Sequence, residues 1–245
     1  MIRSIRFSSV LLTLLAGAVI VASAQTPAMP PDRKAFTDAN KIKEPDKKIA
    51  AMEKFIADFP KSTSVYSAHQ AIFNTLVKNF PDQKDRILRH GNLAVEKAQD
   101  FSKPFVYSDL ANSLMEAGVL LDEAEKFASK GLAATEEELL KQAKSRKSGY
   151  YATLGRIHLK QGKLKEAEQN LKQAREFNPN SNVALLGLAE LYTKRGDEKL
   201  ALETYSAAAV SGKMTADARK QFEALYSKAN GGSLKGLEEK LDAEY

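Results

Sequence analysis

The 245-residue chain has no cysteine and no tryptophan, and it has only three histidines. Without cysteine the chain cannot form disulfide bonds, thiolate nucleophiles or thiolate-bound metal sites, so its stability must come from packing. We also predict that His69, His90 and His158 lie apart and form no zinc site, because zinc needs three or four clustered ligands. For His158 we predict a packed structural role.

Strand signals and catalytic motifs are also missing. Runs of alternating β-branched residues, which indicate strands, do not occur, and the abundant leucine, alanine, lysine and glutamate favour helix. The sequence contains no Gly-x-Ser-x-Gly, no Walker sequence and no His-Glu-x-x-His. We therefore expect an all-α protein that is not an enzyme and that binds no cofactor or metal.

The N-terminus has the pattern of a cleavable signal peptide. Arg3 and Arg6 precede an apolar run over 7–21, and Ala-Ser-Ala at 22–24 supplies small residues for cleavage. We expect that residues 1–24 are removed and that the mature protein is periplasmic or secreted. The rival interpretation is an uncleaved membrane anchor, although the strongly apolar part of about 12–15 residues is shorter than the roughly 20 that span a bilayer.

The charge of the chain is mild. Its formal net charge of +6 falls further when Arg3 and Arg6 are removed with the signal peptide. So small an excess gives no indication of nucleic-acid binding, and export argues against it further.

The most informative pattern is a period of 34 residues that relates 148–181 to 182–215. Within each copy, apolar residues recur at helical spacing in two halves, and a glycine separates the halves. Two helices joined by so short a turn must pack antiparallel. The identical residues at this shift are Leu154 and Leu188, Lys160 and Lys194, Gly162 and Gly196, Lys165 and Lys199, Ala167 and Ala201, and Ala174 and Ala208.

These residues resemble the tetratricopeptide repeat family, whose repeats of 34 residues are helix–turn–helix units. Gly155 and Ala167 are small where the two helices should come closest, and Pro179 closes the first copy. The second copy departs from the pattern, because Lys213 stands where the closing proline is expected. The resemblance implies a right-handed superhelical solenoid of antiparallel helix pairs. An ordinary bundle of amphipathic hairpins is the alternative, but the 34-residue period and the small residues are two independent indications of repeats.

Weaker copies extend the pattern to most of the chain. We predict one continuous solenoid of about five helix pairs over 33–245, with one residue inserted before Ala124. Residues 135–138 are expected to cap a long helix that leads into the copy at 148. The other predicted segments are a proline-rich linker at 25–32, degenerate repeats at 33–62, 63–103 and 104–134, and capping helices at 215–245.

In the tetratricopeptide family the first helix of each pair lines a concave groove. The resemblance implies a mixed-charge partner-binding groove formed by Asp109, Asn112, Glu116, Arg156, Lys160, Glu190 and Lys194. Such a groove favours an extended or helical peptide with complementary charges. One subfamily binds the end of a peptide chain through a set of polar residues in the groove. Asn112 alone matches that set here, so recognition of a chain terminus is not expected. A solvated surface without a ligand is the open alternative.

We therefore expect a non-catalytic protein–protein interaction scaffold of the bacterial cell envelope, which holds a polypeptide partner in its groove. The alternative is a structural or assembly component that acts through self-association or an uncleaved N-terminal anchor. Neither interpretation predicts the identity of the partner or the oligomeric state.

Overall fold

The computed structural model describes residues 29–135, 141–212 and 214–237. The predicted signal peptide at 1–24, the first half of the linker at 25–32 and the last part of the predicted cap lie outside these residues. No helix in the described part is both long and apolar enough to span a bilayer.

The described residues form eleven α-helices and no strand, which confirms the predicted all-α class. A single 3-10 turn, Asp100–Ser102, lies between the fourth and fifth helices. The helices are α1 (Pro31–Lys41), α2 (Pro45–Asp58), α3 (Val65–Asn79), α4 (Lys84–Lys97), α5 (Lys103–Ala117), α6 (Leu121–Thr135), α7 (Lys141–Lys160), α8 (Leu164–Phe177), α9 (Asn182–Arg195), α10 (Glu198–Ser211) and α11 (Ala216–Ala229).

The helices pack as five successive pairs, from α1 with α2 to α9 with α10, and α11 packs against α10. The first helices of neighbouring pairs also contact each other: α3 contacts α5, α5 contacts α7, and α7 contacts α9. Within the described residues, the second helices of neighbouring pairs make no comparably extensive contacts with each other. The first helices therefore form the inner, concave side of the stack, and we call α1, α3, α5, α7 and α9 the inner helices.

The 34-residue period reappears in the hydrogen bonds that join the two helices of a pair. Ser148 Oγ on α7 donates to the carbonyl of Ala174 on α8 over 2.8 Å. The equivalent residue of the next copy, Asn182, donates from Nδ2 to the carbonyl of Ala208 on α10 over 2.7 Å. Two different side chains thus tie an inner helix to the last turn of its partner at equivalent positions of the two copies.

Glycine makes the turn between the two helices of each copy. Gly162 and Gly196 have φ angles of 76° and 81°, a left-handed conformation that other residues adopt only at a cost. This conformation lets the following amide reach back to a carbonyl of the ending helix. Lys163 N lies 2.8 Å from His158 O, and Asp197 N lies 2.9 Å from Tyr192 O.

Leu171 of α8 fills the space between two inner helices. A methyl group on Gly155 of α7 would lie 2.5 Å from Leu171 Cγ, and one on Gly187 of α9 would lie 2.6 Å from Leu171 Cδ2. Both positions are therefore restricted to glycine while Leu171 keeps its place. The predicted small residue at position 155 does lie at a point of close approach between helices.

Two local features differ from the sequence prediction, and a third adds a detail to it. Thr135 does not begin a helix; it is a buried residue of α6, and its hydroxyl donates to the carbonyl of Gly131 over 2.8 Å. The other residues of the predicted cap, 136–138, lie outside the described residues. Helix α1 begins at Pro31, because proline is well suited to a first helical turn. The extra residue before Ala124 is accommodated at Leu120, which takes a left-handed φ of 48°.

The C-terminal end of the stack is covered by apolar side chains. Phe222 of α11 is fully buried against Tyr205 of α10, with ring centroids 5.9 Å apart. Leu237 is buried in the same cluster. These residues cover apolar surface that a solenoid would otherwise expose at its last repeat.

Candidate partner-binding groove

A pocket of about 400 Å³ opens on the inner side of the stack, where α7, α9 and α11 come together. We call it the C-terminal pocket. Its lining includes Arg156 and Lys160 of α7, Val183, Leu186 and Glu190 of α9, Tyr205 of α10, and Asp217 and Gln221 of α11. Three of the seven groove residues that the sequence predicts are thus brought together, from two inner helices.

The cationic wall of the C-terminal pocket is formed by Arg156 and Lys160, which are one helical turn apart on α7. Neither side chain forms an ion pair within the described residues, whereas Glu190 on the opposite wall holds Lys194 at 3.5 Å. Arg156 is half-buried and Lys160 is exposed. Two unpaired cations on one face are suited to receive a carboxylate from outside the chain.

Apolar side chains also line the C-terminal pocket. Val183 is exposed over 45% of its surface although it is aliphatic, and Leu186 beside it is half-buried. Tyr205 forms part of the floor and donates its hydroxyl to Gln221 Oε1 over 2.6 Å. Burial raises the pKa of Tyr205, so the phenol stays neutral and serves to fix α10 to α11.

A second pocket, of about 480 Å³, lies at the opposite end of the inner side, between α3 and the junction of α1 with α2. We call it the N-terminal pocket. The side chains that give it its character are Lys43 in the α1–α2 loop, Lys48 of α2, Asn74 and Lys78 of α3, and the apolar Phe36, Ile42 and Pro45. Its lining contains no aspartate or glutamate.

The sequence of the helices that form the C-terminal pocket matches a known family. Residues 158–220 match the family model described as tetratricopeptide repeat. Residues 158–220 therefore form tetratricopeptide repeats. No curated protein matches the chain. The matched residues run from the end of α7 to the first turn of α11, and repeats of this kind typically act as non-catalytic scaffolds that bind other proteins.

Two of the other predicted groove residues join neighbouring inner helices. Gln70 Nε2 of α3 donates to Asp109 Oδ2 of α5 over 2.7 Å. Thr153 Oγ1 of α7 donates to Asn112 Oδ1 of α5 over 2.9 Å. Asp109 and Asn112 therefore already have partners inside the stack. Glu116 is exposed in the last turn of α5 and lines neither the C-terminal nor the N-terminal pocket.

His158 has the structural role that the sequence predicts. It is 8% exposed, and its Nε2 lies 3.3 Å from Glu125 Oε1 of α6 while its Nδ1 lies 3.1 Å from Asn170 Nδ2 of α8. Burial opposes the ionisation of Glu125, but hydrogen bonds from His158, Lys163 and Gln161 outweigh it, so the pKa of Glu125 is lowered. This polar cluster connects α6, α7 and α8 across two adjacent helix pairs.

The prediction that the other two histidines lie apart was wrong. His69 of α3 and His90 of α4 are buried, with their Nδ1 atoms 3.0 Å apart. No group of three or more histidine, aspartate or glutamate side chains in the described ranges could hold a metal ion. The sequence contained no signal for this pair, because a separation of 21 residues has no fixed meaning between two helices in a degenerate repeat.

The N-terminal pocket was also missed. The first repeat is too degenerate for its groove positions to be assigned from the family pattern, and residues of α2 and of the α1–α2 loop join the inner-helix residues in the lining. The one available signal was a cluster of lysines around Pro45, where the chain turns from α1 into α2.

Proposed function

We propose that the chain is a non-catalytic scaffold of the bacterial cell envelope that binds a polypeptide partner on its concave side, with the C-terminal pocket as the main contact. The observation that carries this proposal is the position of Arg156 and Lys160. They are two cations without an acidic partner among the described residues, and they lie beside the exposed Val183 inside a concave pocket.

The physical basis is a combination of charge and apolar burial. A partner carboxylate between Arg156 and Lys160 would accept hydrogen bonds from charged donors, each contributing about 1.5–3 kcal/mol where water is excluded. Arg156 should contribute more than Lys160, because it is the less exposed of the two. An apolar partner side chain on Val183 and Leu186 would add about 25 cal/mol for each Å² that it removes from water.

The envelope location is supported by the sequence pattern at 1–24, which lies outside the described residues. The intact mass of the protein recovered from its native host tests it. Loss of residues 1–24 would support a soluble envelope scaffold, whereas retention of this segment in a membrane fraction would favour the anchored alternative.

Site-specific photo-crosslinking in the native host tests the binding proposal. The crosslinking amino acid p-benzoylphenylalanine is placed at Val183 in the C-terminal pocket or, as the control, at Leu200 on α10. The two positions are matched because both are aliphatic and their exposures are 45% and 47%, but Leu200 does not line the pocket. We expect a defined crosslinked polypeptide, identified by mass spectrometry, from position 183 and not from position 200.

Charge-reversal variants then test whether the C-terminal pocket binds this polypeptide. Arg156→Glu with Lys160→Glu should abolish the crosslink from position 183 while the helical circular dichroism stays unchanged. If the same polypeptide is crosslinked from both positions, or if the folded double variant still forms the crosslink, the C-terminal pocket is not the binding site.

A further inference from the structure

We propose that the N-terminal pocket is a second and separate site, which binds an acidic segment of a polypeptide through its internal carboxylate side chains.

The first argument is the local absence of counter-charges. Lys43, Lys48 and Lys78 line the N-terminal pocket, and its lining has no carboxylate to balance them. Lys43 and Lys78 form no ion pair within the described residues. Lys48 Nζ instead lies 3.1 Å from the backbone carbonyl of Asn40.

Lysines on the outward faces of the same helices behave differently. On α1, Lys34 Nζ lies 2.7 Å from Asp38 Oδ2, and on α2, Lys54 Nζ lies 2.8 Å from Asp58 Oδ2. Asp38 and Asp58 are thus paired with lysines one turn away on their own helices, and neither carboxylate lines the pocket. The positive charge of Lys43, Lys48 and Lys78 thus has no carboxylate beside it in the pocket lining, where concave walls strengthen its attraction for an anion.

The second argument is an additional, oriented hydrogen-bond donor. Ser113 Oγ of α5 donates to Asn74 Oδ1 of α3 over 2.8 Å. This bond fixes which way the exposed Asn74 amide points and leaves its NH₂ group to donate. The N-terminal pocket therefore presents three ammonium groups and an amide donor to a ligand, a set suited to carboxylate oxygens.

The third argument is the apolar part of the N-terminal pocket. Phe36, Ile42 and Pro45 are half-buried in its lining, and the ring of Phe36 packs on Phe55 with centroids 5.5 Å apart. A single aromatic ring that is already packed gives no stacking platform for nucleic-acid bases. It does give a surface for one aliphatic side chain, so an acidic peptide that carries apolar residues fits better than a nucleic acid.

Fluorescence anisotropy with a defined probe tests this inference. The probe is the fluorescein-labelled peptide Glu-Glu-Leu-Glu-Glu-Leu-Glu-Glu with an amidated C-terminus, so that only side-chain carboxylates are offered. We expect saturable binding to the full chain, and Lys43→Glu with Lys78→Glu should weaken it at least about tenfold, which corresponds to about 1.4 kcal/mol. The neutral pair Lys43→Gln with Lys78→Gln should weaken it less.

A matched control separates the pocket from the overall charge. Lys165→Glu with Lys199→Glu makes the same change in net charge at equivalent positions of α8 and α10, and these lysines line neither pocket. This variant should bind the probe as the native chain does, and circular dichroism should show that all variants keep their helical content.

The other outcomes overturn the inference. If the control variant loses as much affinity for the probe as the Lys43→Glu with Lys78→Glu variant, binding follows net charge alone. If Arg156→Glu with Lys160→Glu weakens binding of the probe and the Lys43 and Lys78 variants do not, the probe binds in the C-terminal pocket. Equally tight binding of a single-stranded oligonucleotide that competes with the peptide would make this a nucleic-acid site.

Discussion

His69 and His90 face each other across the interface between α3 and α4, with their Nδ1 atoms 3.0 Å apart and both side chains 6% exposed. At this distance one ring donates and the other accepts, which requires an unprotonated acceptor. Burial lowers the pKa of both histidines, and the second ring lowers that of His90 further, to about 4. The nearby charged residues are Glu53, Arg86, Arg89, Glu96 and Lys97.

This pair should make the protein less stable in mild acid. The folded state binds fewer protons than the unfolded state, whose histidines titrate near pH 6.5, so stability falls as the pH drops from about 6.5 to about 4. For His90 the loss should reach roughly 2 kcal/mol at about pH 5. Urea unfolding at about pH 7.5 and about pH 5 measures it. The double variant His69→Gln with His90→Gln should lose most of this difference, and an unchanged difference would contradict the prediction.

Two glycines of α7 should respond in opposite ways to the same substitution. A methyl group on Gly155 would lie 2.5 Å from Leu171 Cγ, whereas one on Gly149 would meet no atom within 4 Å. Gly155→Ala should therefore destabilise the protein by about 1–3 kcal/mol through overpacking. Gly149→Ala should stabilise it by about 0.5–1 kcal/mol, because alanine loses less backbone entropy in a helix.

Thermal unfolding of the two alanine variants measures the contrast. Since the substitutions are identical and both lie in α7, differences in helix propensity cancel. A stabilising Gly155→Ala would mean that Leu171 moves aside at little cost, and that the close approach of α7 and α8 does not restrict this position.

The sequence predicted those parts of the fold that depend on contacts within a single helix pair. The period of 34, the glycine turns at 162 and 196 and the small residue at 155 all belong to this class, because each is a local requirement of a helix pair. The left-handed conformation of Leu120 was not predicted, although the inserted residue was. An insertion shows that the chain must adjust, but packing decides which residue does so.

The site was predicted less well, because it depends on contacts between repeats. Arg156, Lys160 and Glu190 were identified from equivalent positions in the two clear copies, and these are the ones that share a pocket. Asp109 and Asn112 occupy similar positions in α5 but accept hydrogen bonds from Gln70 and Thr153. Those donors lie about one repeat away, and the sequence pattern does not specify side-chain partners over such distances.

Adjacent tyrosines of α7 should differ in the cost of losing their hydroxyl groups. Tyr150 is buried and donates its hydroxyl to the carbonyl of Pro104 at the start of α5. Tyr151 stacks on Phe177 with ring centroids 5.7 Å apart, and its hydroxyl makes no hydrogen bond within the described residues. Tyr150→Phe should therefore destabilise the protein by about 1 kcal/mol, and Tyr151→Phe should have little effect. Chemical denaturation of both variants checks this, and equal costs would refute it.

Glu125 should contribute more to stability than a typical carboxylate on this surface. It lies 3.3 Å from His158 Nε2, 3.2 Å from Lys163 Nζ and 3.2 Å from Gln161 Nε2, so one carboxylate joins α6 to α7 and to the turn before α8. Glu125→Gln removes the charge and one acceptor oxygen but keeps the shape of the side chain. It should cost about 1 kcal/mol, since the site is still partly open to water.

Glu116→Gln is the matched control for this carboxylate, because Glu116 is exposed near the end of α5 and should tolerate the change. Because the pKa of Glu125 is lowered in the folded state, its contribution is complete above the ordinary glutamate pKa and is lost as the pH falls through its lowered value. That window lies below the one in which the His69–His90 pair acts. The native chain and Glu125→Gln should therefore converge in stability only in strong acid, and convergence already near pH 6 would contradict a contribution from the Glu125 carboxylate charge.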